Sequence, residues 1–420
     1  MRRRSLRAWE VRVESTFLPE RMSARAWPAA LLRFLLRTKL YWGLIALYAV
    51  GVLASPVSSR GVNIFLSEGN QSDVLRQVSN NGIVAVGMTL VILIGGIDLS
   101  VGSVMALGSV LCAMLLTQAG WTTASYLAIP LFGAFVLLAV GWLMQIASGG
   151  RRAVAAFGWL LGVVGAAGAV AWCVGQLPGK FGVAGVLVVV PVAGLAVGAL
   201  NGVIIARAKL QPFIVTLAMM VGMLGTARLV AGPDTTVYPV YTGTNATPAF
   251  EGLRMLLWHV LPVPGLFFLA AVAIFSALLR HTTFGRYVYA IGGNEQATRF
   301  SGVAVERVKI AVYALSGALA CLAGVLYVAQ YRQGKPDAGV GIELDAIAAV
   351  VIGGTNLMGG RGSIMGTLVG VLIFGFLGNI LQLRNIDSNT QLVLKGVIIL
   401  VAVMLQEGHV RLRRRPAGGG

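Results

Sequence analysis

An aspartate inside an otherwise apolar run is the first residue whose chemistry needs a reason. Asp98 lies in AVGMTLVILIGGIDLSVGSVMALGS, residues 85–109, directly after Gly95 and Gly96. An unpartnered carboxylate at membrane depth costs about 3 kcal/mol on insertion scales, so it must be solvated, hydrogen-bonded or functional. Two readings stand. Asp98 caps the helix that follows Leu99 and Ser100 by accepting its free amides, or it borders a solute path. A second string, FGRYVYAIGGNEQATRFSGVAVERVK at 284–309, is a polar interruption between two apolar runs. Gly292 and Gly293 break the chain, Asn294 is an N-cap, Glu295 suits the first turn and Gly302 suits a C-terminal stop. The pattern predicts one short helix over 295–301, outside the membrane, with Arg299 and Phe300 projecting. It is either a docking element or a plain surface loop. A third string, GIELDAIAAVVIGGTNLMGGRGSIMGT at 341–367, puts Glu343 and Asp345 at the mouth of a short segment. Its glycines, Gly353, Gly354, Gly359, Gly360 and Gly362, serve pore lining or simple helix packing.

No catalytic constellation accompanies these strings. His259, His281 and His409 are isolated, and neither G-x-S-x-G nor H-E-x-x-H occurs. GQLPGKF at 175–181 lacks the Ser or Thr that a phosphate-binding loop needs after its lysine. The chain is therefore expected to bind no cofactor and not to be an enzyme. Cys112, Cys173 and Cys321 all fall in apolar runs without metal-ligand spacing, and read as small buried side chains.

The elements that carry these residues follow from composition. The chain has 420 residues, 57% apolar and 11% charged, against about 25% charged in soluble domains. Ala124 to Ser148 and Phe181 to Ala206 contain no charge at all, and each exceeds the roughly 20 residues a helix needs to cross a bilayer. The 55 glycines show no three-residue period, which excludes collagen. They suit close helix packing in lipid. The fold class is all-α, a polytopic transmembrane bundle of about twelve spans. The segments run at 40–57, 82–96, 101–118, 124–147, 153–175, 181–206, 213–231, 265–280, 309–331, 343–358, 362–383 and 391–406. The second, third and tenth are short enough to be broken or tilted. Residues 1–39 form a basic tail, 40–406 the membrane domain and 407–420 a C-terminal tail. Basic residues continue to Lys39, so the first run reads as a retained helix rather than a cleaved signal.

The net charge of +18, from 33 basic and 15 acidic residues, does not mean nucleic acid, because the basic residues cluster between apolar runs. With both termini inside, the cytoplasmic segments hold 24 Lys and Arg and the opposite side eight, with Lys395 inside the last span. An internal echo also appears. GGIDL at 95–99 matches GGTNL at 353–357, and SVM at 103–105 matches SIM at 363–365. In this topology both copies run the same way, as in parallel structural repeats.

Together with LNGVIIARAKLQPFIVTLAMM at 200–220, these strings carry a resemblance. GGIDLSVGS, QPFIVTL, YAIGGNEQATRFSGV and ELDAIAAVVIGGTNLMGGRGSIMGT occur in the order seen in permease subunits of bacterial ATP-binding-cassette importers for ribose, xylose, galactofuranose and related monosaccharides. The resemblance covers roughly 80–118 and 190–406. One departure stands out: such permeases have one span between the equivalents of GGIDLSVGS and QPFIVTL, and this chain has three. Two inserted helices leave the downstream topology unchanged.

The resemblance implies a multi-pass protein of the bacterial inner membrane. A second permease copy, identical or not, would enclose the path. A separate ATPase subunit would use the ATP, and a periplasmic sugar-binding protein would deliver the solute. It implies that the segment at Gly293, Asn294, Glu295, Ala297, Arg299, Phe300 and Gly302 couples to the ATPase. A neutral sugar needs hydrogen-bonding groups along its path, for which Asp98, Ser100, Asn201, Gln211, Thr216 and Asn356 are the expected residues. The alternatives are a branched-chain amino-acid permease of the same transporter class and an ion-driven carrier. The carrier would need intramembrane carboxylates, of which only Asp98 and Asp345 qualify.

Overall fold

A segment in lipid must satisfy its backbone hydrogen bonds internally, so the apolar runs fold as helices. The computed structural model describes residues 39–413, apart from 60, 118–119, 148–151, 177–180, 233–236 and 259. The N-terminal tail and the last residues of the C-terminal tail lie outside the described residues, as does His259. The helices are α1 (Lys39–Ala54), α2 (Glu68–Leu93), α3 (Val101–Thr117), α4 (Thr123–Ala147), α5 (Arg152–Gln176), α6 (Val183–Ala208) and α7 (Pro212–Ala231). They continue as α8 (Val263–His281), α9 (Thr283–Gly293), α10 (Glu295–Phe300), α11 (Val305–Tyr331), α12 (Ile342–Ile352), α13 (Ile364–Leu383) and α14 (Ser388–Arg413). Seven helices among the described residues are long and apolar enough to cross a membrane. The chain is a helical membrane protein.

Two expectations need correction. The segment read at 82–96 is only the apolar end of α2, which is 26 residues long. Its first half, EGNQSDVLRQVSNN, is polar, so average hydropathy hides it. The 284–309 interruption is not one short helix but two, because residues 283–293 also form a helix, α9. Gly292 and Gly293 sit inside its last turn, and the chain bends at Asn294. The tenth segment is broken as expected: α12 has 11 residues and gives way to a loop. At the other end of the chain, α14 runs on to Arg413, past the expected boundary at 406.

α11 is the central element, packed against α6, α3 and α2. Small residues set its distance from α6. A Cβ on Gly198 would stand 2.1 Å from the Tyr313 carbonyl oxygen, and one on Gly194 would stand 2.2 Å from that of Gly317. With hydrogen in place of a side chain, the two backbones touch. α4 and α5 form a hairpin at the edge: α5 packs on α4 and on no other helix to a comparable extent. After the hairpin the chain returns to where it left, the Phe181 amide donating to the Leu115 carbonyl at 3.2 Å.

The sequence echo has a structural counterpart. α2 ends with Gly95 N bonded to Ile92 O and Gly96 N to Val91 O, and α12 ends with Gly354 N bonded to Val351 O and Thr355 N to Val350 O. Both are Schellman stops, around Gly95 at φ +79° and Gly354 at φ +86°, a conformation that favours glycine. The stop glycine is shifted by one residue relative to the matched strings. The two loops meet where Gly360 N donates to Leu93 O at 2.9 Å.

On the side that the basic residues mark as external, the long loop before α8 is held to the end of α11. Glu251 accepts from Thr242 Oγ1 at 2.8 Å, from Arg254 at 3.0 Å and from Arg332 at 3.1 Å. Burial alone raises the Glu251 carboxyl, but these three partners outweigh it and hold it below its ordinary range.

Candidate functional site

Asp98 sits in the break between α2 and α3, where the Schellman stop ends one helix and the next begins at Val101. Its Oδ1 accepts from the Ser100 amide at 3.0 Å and the Ser100 hydroxyl at 2.6 Å. Its Oδ2 accepts from the Ser316 hydroxyl of α11 at 3.1 Å. Asn201 of α6 extends the cluster, its amide donating to Ser100 Oγ at 2.9 Å. All four residues are buried, Asp98 at 1% exposure. The carboxylate thus ties the helix break to α11, and Ser100 ties it to α6; Asp98 meets donors alone, as a buried acid in low dielectric requires.

Of the three remaining expected path residues, one adjoins this cluster and two do not. Thr216 is buried on α7, donating to Ile97 O at 3.1 Å beside the same break. Asn356 Oδ1 accepts from Met358 N at 3.0 Å, a turn in the loop after α12. This repeats Asp98 with Ser100 in the first copy of the echo. Gln211 is exposed at the N-cap of α7. The structure therefore brings together Asp98, Ser100, Asn201 and Thr216, and leaves Gln211 and Asn356 apart.

The 283–302 region forms a separate surface. Asn294 caps α10, its Oδ1 accepting from Ala297 N at 2.9 Å. Gly302, at φ +83°, ends it, with Gly302 N bonded to Arg299 O and Val303 N to Thr298 O. Both terminal signals read from sequence are in place. Glu295 pairs with Lys309 at 2.7 Å, and Arg299 pairs with Glu306, so α10 is braced on the first turns of α11. The Glu306 carboxylate raises the Arg299 guanidinium further above its already high ordinary range. Exposed ion pairs contribute at most about 1 kcal/mol each, so their role is orientation. Arg299 and Phe300 project as expected, Phe300 at 89% exposure, and Gly293, Asn294, Gln296 and Ala297 are exposed beside them.

Sequence reasoning missed a polar cleft of about 250 Å³ between α2, α11, α12 and α14. It is lined in part by Gln77, Asn80 and Asn81 from the half of α2 that was not read as helix. Asp345, noted at the mouth of α12, accepts from Lys395 of α14 at 2.8 Å beside this cleft. Lys395 thereby has its counter-ion. No cluster of metal-ligating residues occurs among the described residues.

The branched-chain amino acid transport system/permease component profile matches residues 70–167 and 150–403. The ribose import permease of Escherichia coli (strain K12) is 38% identical over 366 residues, 86% of this chain and 92% of that protein. That of Haemophilus influenzae is 36% identical over 373 residues, 89% of this chain and 93% of that protein. That of Bacillus subtilis is 38% identical over 341 residues, 81% and 85% of the two chains. No solved structure matches the chain. The two matched stretches overlap at 150–167, within the α4–α5 hairpin, and matching motifs, helices and relatives run through both parts: this chain belongs to the branched-chain amino acid transport system/permease component family.

Proposed function

We propose that this chain is the membrane permease subunit of an ATP-binding-cassette importer and forms the translocation path for a monosaccharide. Its similarity to ribose import permeases over most of both lengths carries this reading. The names of these relatives favour a sugar over the amino acid in the family's description. The chain works in the inner membrane, with about twelve spans and both termini in the cytoplasm. A second permease copy encloses the path, a periplasmic sugar-binding protein feeds it, and a separate ATPase subunit hydrolyses ATP. α10 is the contact with that subunit: a short, capped helix braced on α11 can pass on a rigid-body movement. Asp98, Ser100, Asn201 and Thr216 hold the helix break beside the path, with Gln211 and Asn356 at its inner end.

The test is reconstitution. The purified chain alone should hydrolyse no ATP, and ATP-dependent sugar uptake should appear when its cognate ATPase subunit and loaded binding protein are added. Hydrolysis by the chain alone, or uptake without ATP, would overturn the reading. Orientation has its own measurement. A cysteine at the exposed position Thr244 should react with an impermeant thiol reagent from the periplasm, and one at the exposed position Gln296 only after the cytoplasmic face is opened. The reverse pattern at either position rejects the topology.

A further inference from the structure

The cleft between α2, α11, α12 and α14 is built for a ligand of definite chemistry. Gln77 and Asn81 present primary amides to it, and neither side chain hydrogen-bonds to another described residue. The Asn80 side chain is buried; its Nδ2 donates to Gln330 at 2.8 Å, while its Oδ1 has no partner. A buried amide oxygen left unpaired is costly in a folded protein and marks a place where a donor belongs. Opposite stands the Lys395–Asp345 pair, which offers both a donor and an acceptor. Tyr331, its ring tilted by 40° against that of Tyr327 at 4.5 Å between centroids, adds an aromatic wall. At about 250 Å³ the cleft is several times the volume of one water, which occupies about 30 Å³.

We infer that this cleft is a transient binding site for the transported solute, and that the solute is a neutral polyhydroxylated ring of monosaccharide size. Amides and a paired carboxylate and ammonium match hydroxyl groups, which donate and accept at once. A charged solute would upset the compensated Lys395–Asp345 pair. The aliphatic side chain of a branched-chain amino acid would leave part of this polar lining unpaired. The cleft lies along the parts of α2, α11, α12 and α14 nearest the ends that the basic residues place outside, where a binding protein would release its cargo. The site rests on the permease reading above and adds to it a place and a set of contacts.

The experiment uses the complete transporter in proteoliposomes, with radiolabelled pentoses and hexoses as probes. The Gln77→Ala/Asn81→Ala double variant is informative because those side chains hold nothing else together. It should assemble and melt like the parent. Uptake kcat/KM should fall roughly tenfold or more, since each lost hydrogen bond is worth a factor of a few, and the order of preference among sugars should change. Lys395→Gln should give a similar loss of uptake. A parent that carries sugar and a double variant that carries it with unchanged kinetics and preference would overturn the cleft and leave the permease reading standing. A parent that carries no pentose or hexose at all would overturn the permease reading itself, and the cleft's ligand with it.

Discussion

Gly198→Leu should leave little folded protein in detergent extracts, whereas Gly168→Leu should melt like the parent chain. Both replace a glycine within a long apolar helix, so propensity and hydropathy change alike. The difference lies in the neighbours. A Cβ at Gly198 would sit 2.1 Å from the Tyr313 carbonyl oxygen and 3.0 Å from the Ala314 Cα, both backbone atoms of α11. A Cβ at Gly168 meets nothing within 4 Å. Overpacking against movable side chains costs about 1–3 kcal/mol. Against backbone the only relief is to separate α6 from α11, the fold's central pair. That movement would also pull Asn201 from Ser100 and Ser316 from Asp98, leaving a buried carboxylate short of donors. Fluorescence-detected size exclusion after a temperature ramp reads the outcome. A Gly198→Leu chain that melts with its parent would show that this contact does not set the helix spacing.

Ala297→Glu should abolish transport without harming the permease itself. Ala297 occupies the third position of α10, after the Asn294 cap. A glutamate there is favourable for the isolated helix, since its carboxylate sits in the first turn, at the positive end of the helix dipole. Its side chain is exposed in this chain, so the new charge costs nothing until a partner covers it. Once an ATPase subunit packs against Gln296, Ala297 and Phe300, the carboxylate is stripped of water with no counter-ion, a penalty of about 3–5 kcal/mol. That is on the order of a thousandfold weaker coupling. Sugar uptake and co-purification of the ATPase subunit, compared at equal membrane abundance, should both collapse. Unchanged uptake and association would make α10 a surface helix with no partner.

What the sequence revealed depended on how local the determining physics is. The ends of α10 were legible because Asn294 and Gly302 act within one turn. Asp98 was legible as a problem, since a carboxylate in an apolar run demands a partner, but Ser316 and Asn201 lie more than one hundred residues away and only packing joins them. The cleft was hidden for a different reason. Asn80 and Asn81 turn inward, and exposed Gln77 stands at the cleft's mouth, on a helix whose first half is as polar as a loop; hydropathy averaged over a window cannot distinguish polar residues facing solvent from polar residues facing a cavity. α9 escaped for a related reason: paired glycines usually break a helix, yet Gly292 lies where a Cβ would meet the Leu93 carbonyl oxygen at 1.9 Å, so it is there for contact, not for a turn.

The hydrogen bond from Phe181 to Leu115 has a consequence for ancestry and engineering. A hairpin that departs and rejoins at one point behaves as a graft: its removal would ask the remaining chain to close only a short gap, and loop closure over a short span costs little entropy. An even number of crossings means that every later helix keeps its sense. A single insertion or deletion event could therefore add or remove α4 and α5 in one step, giving the lineage a lipid-facing appendage to vary while the central machinery stays fixed.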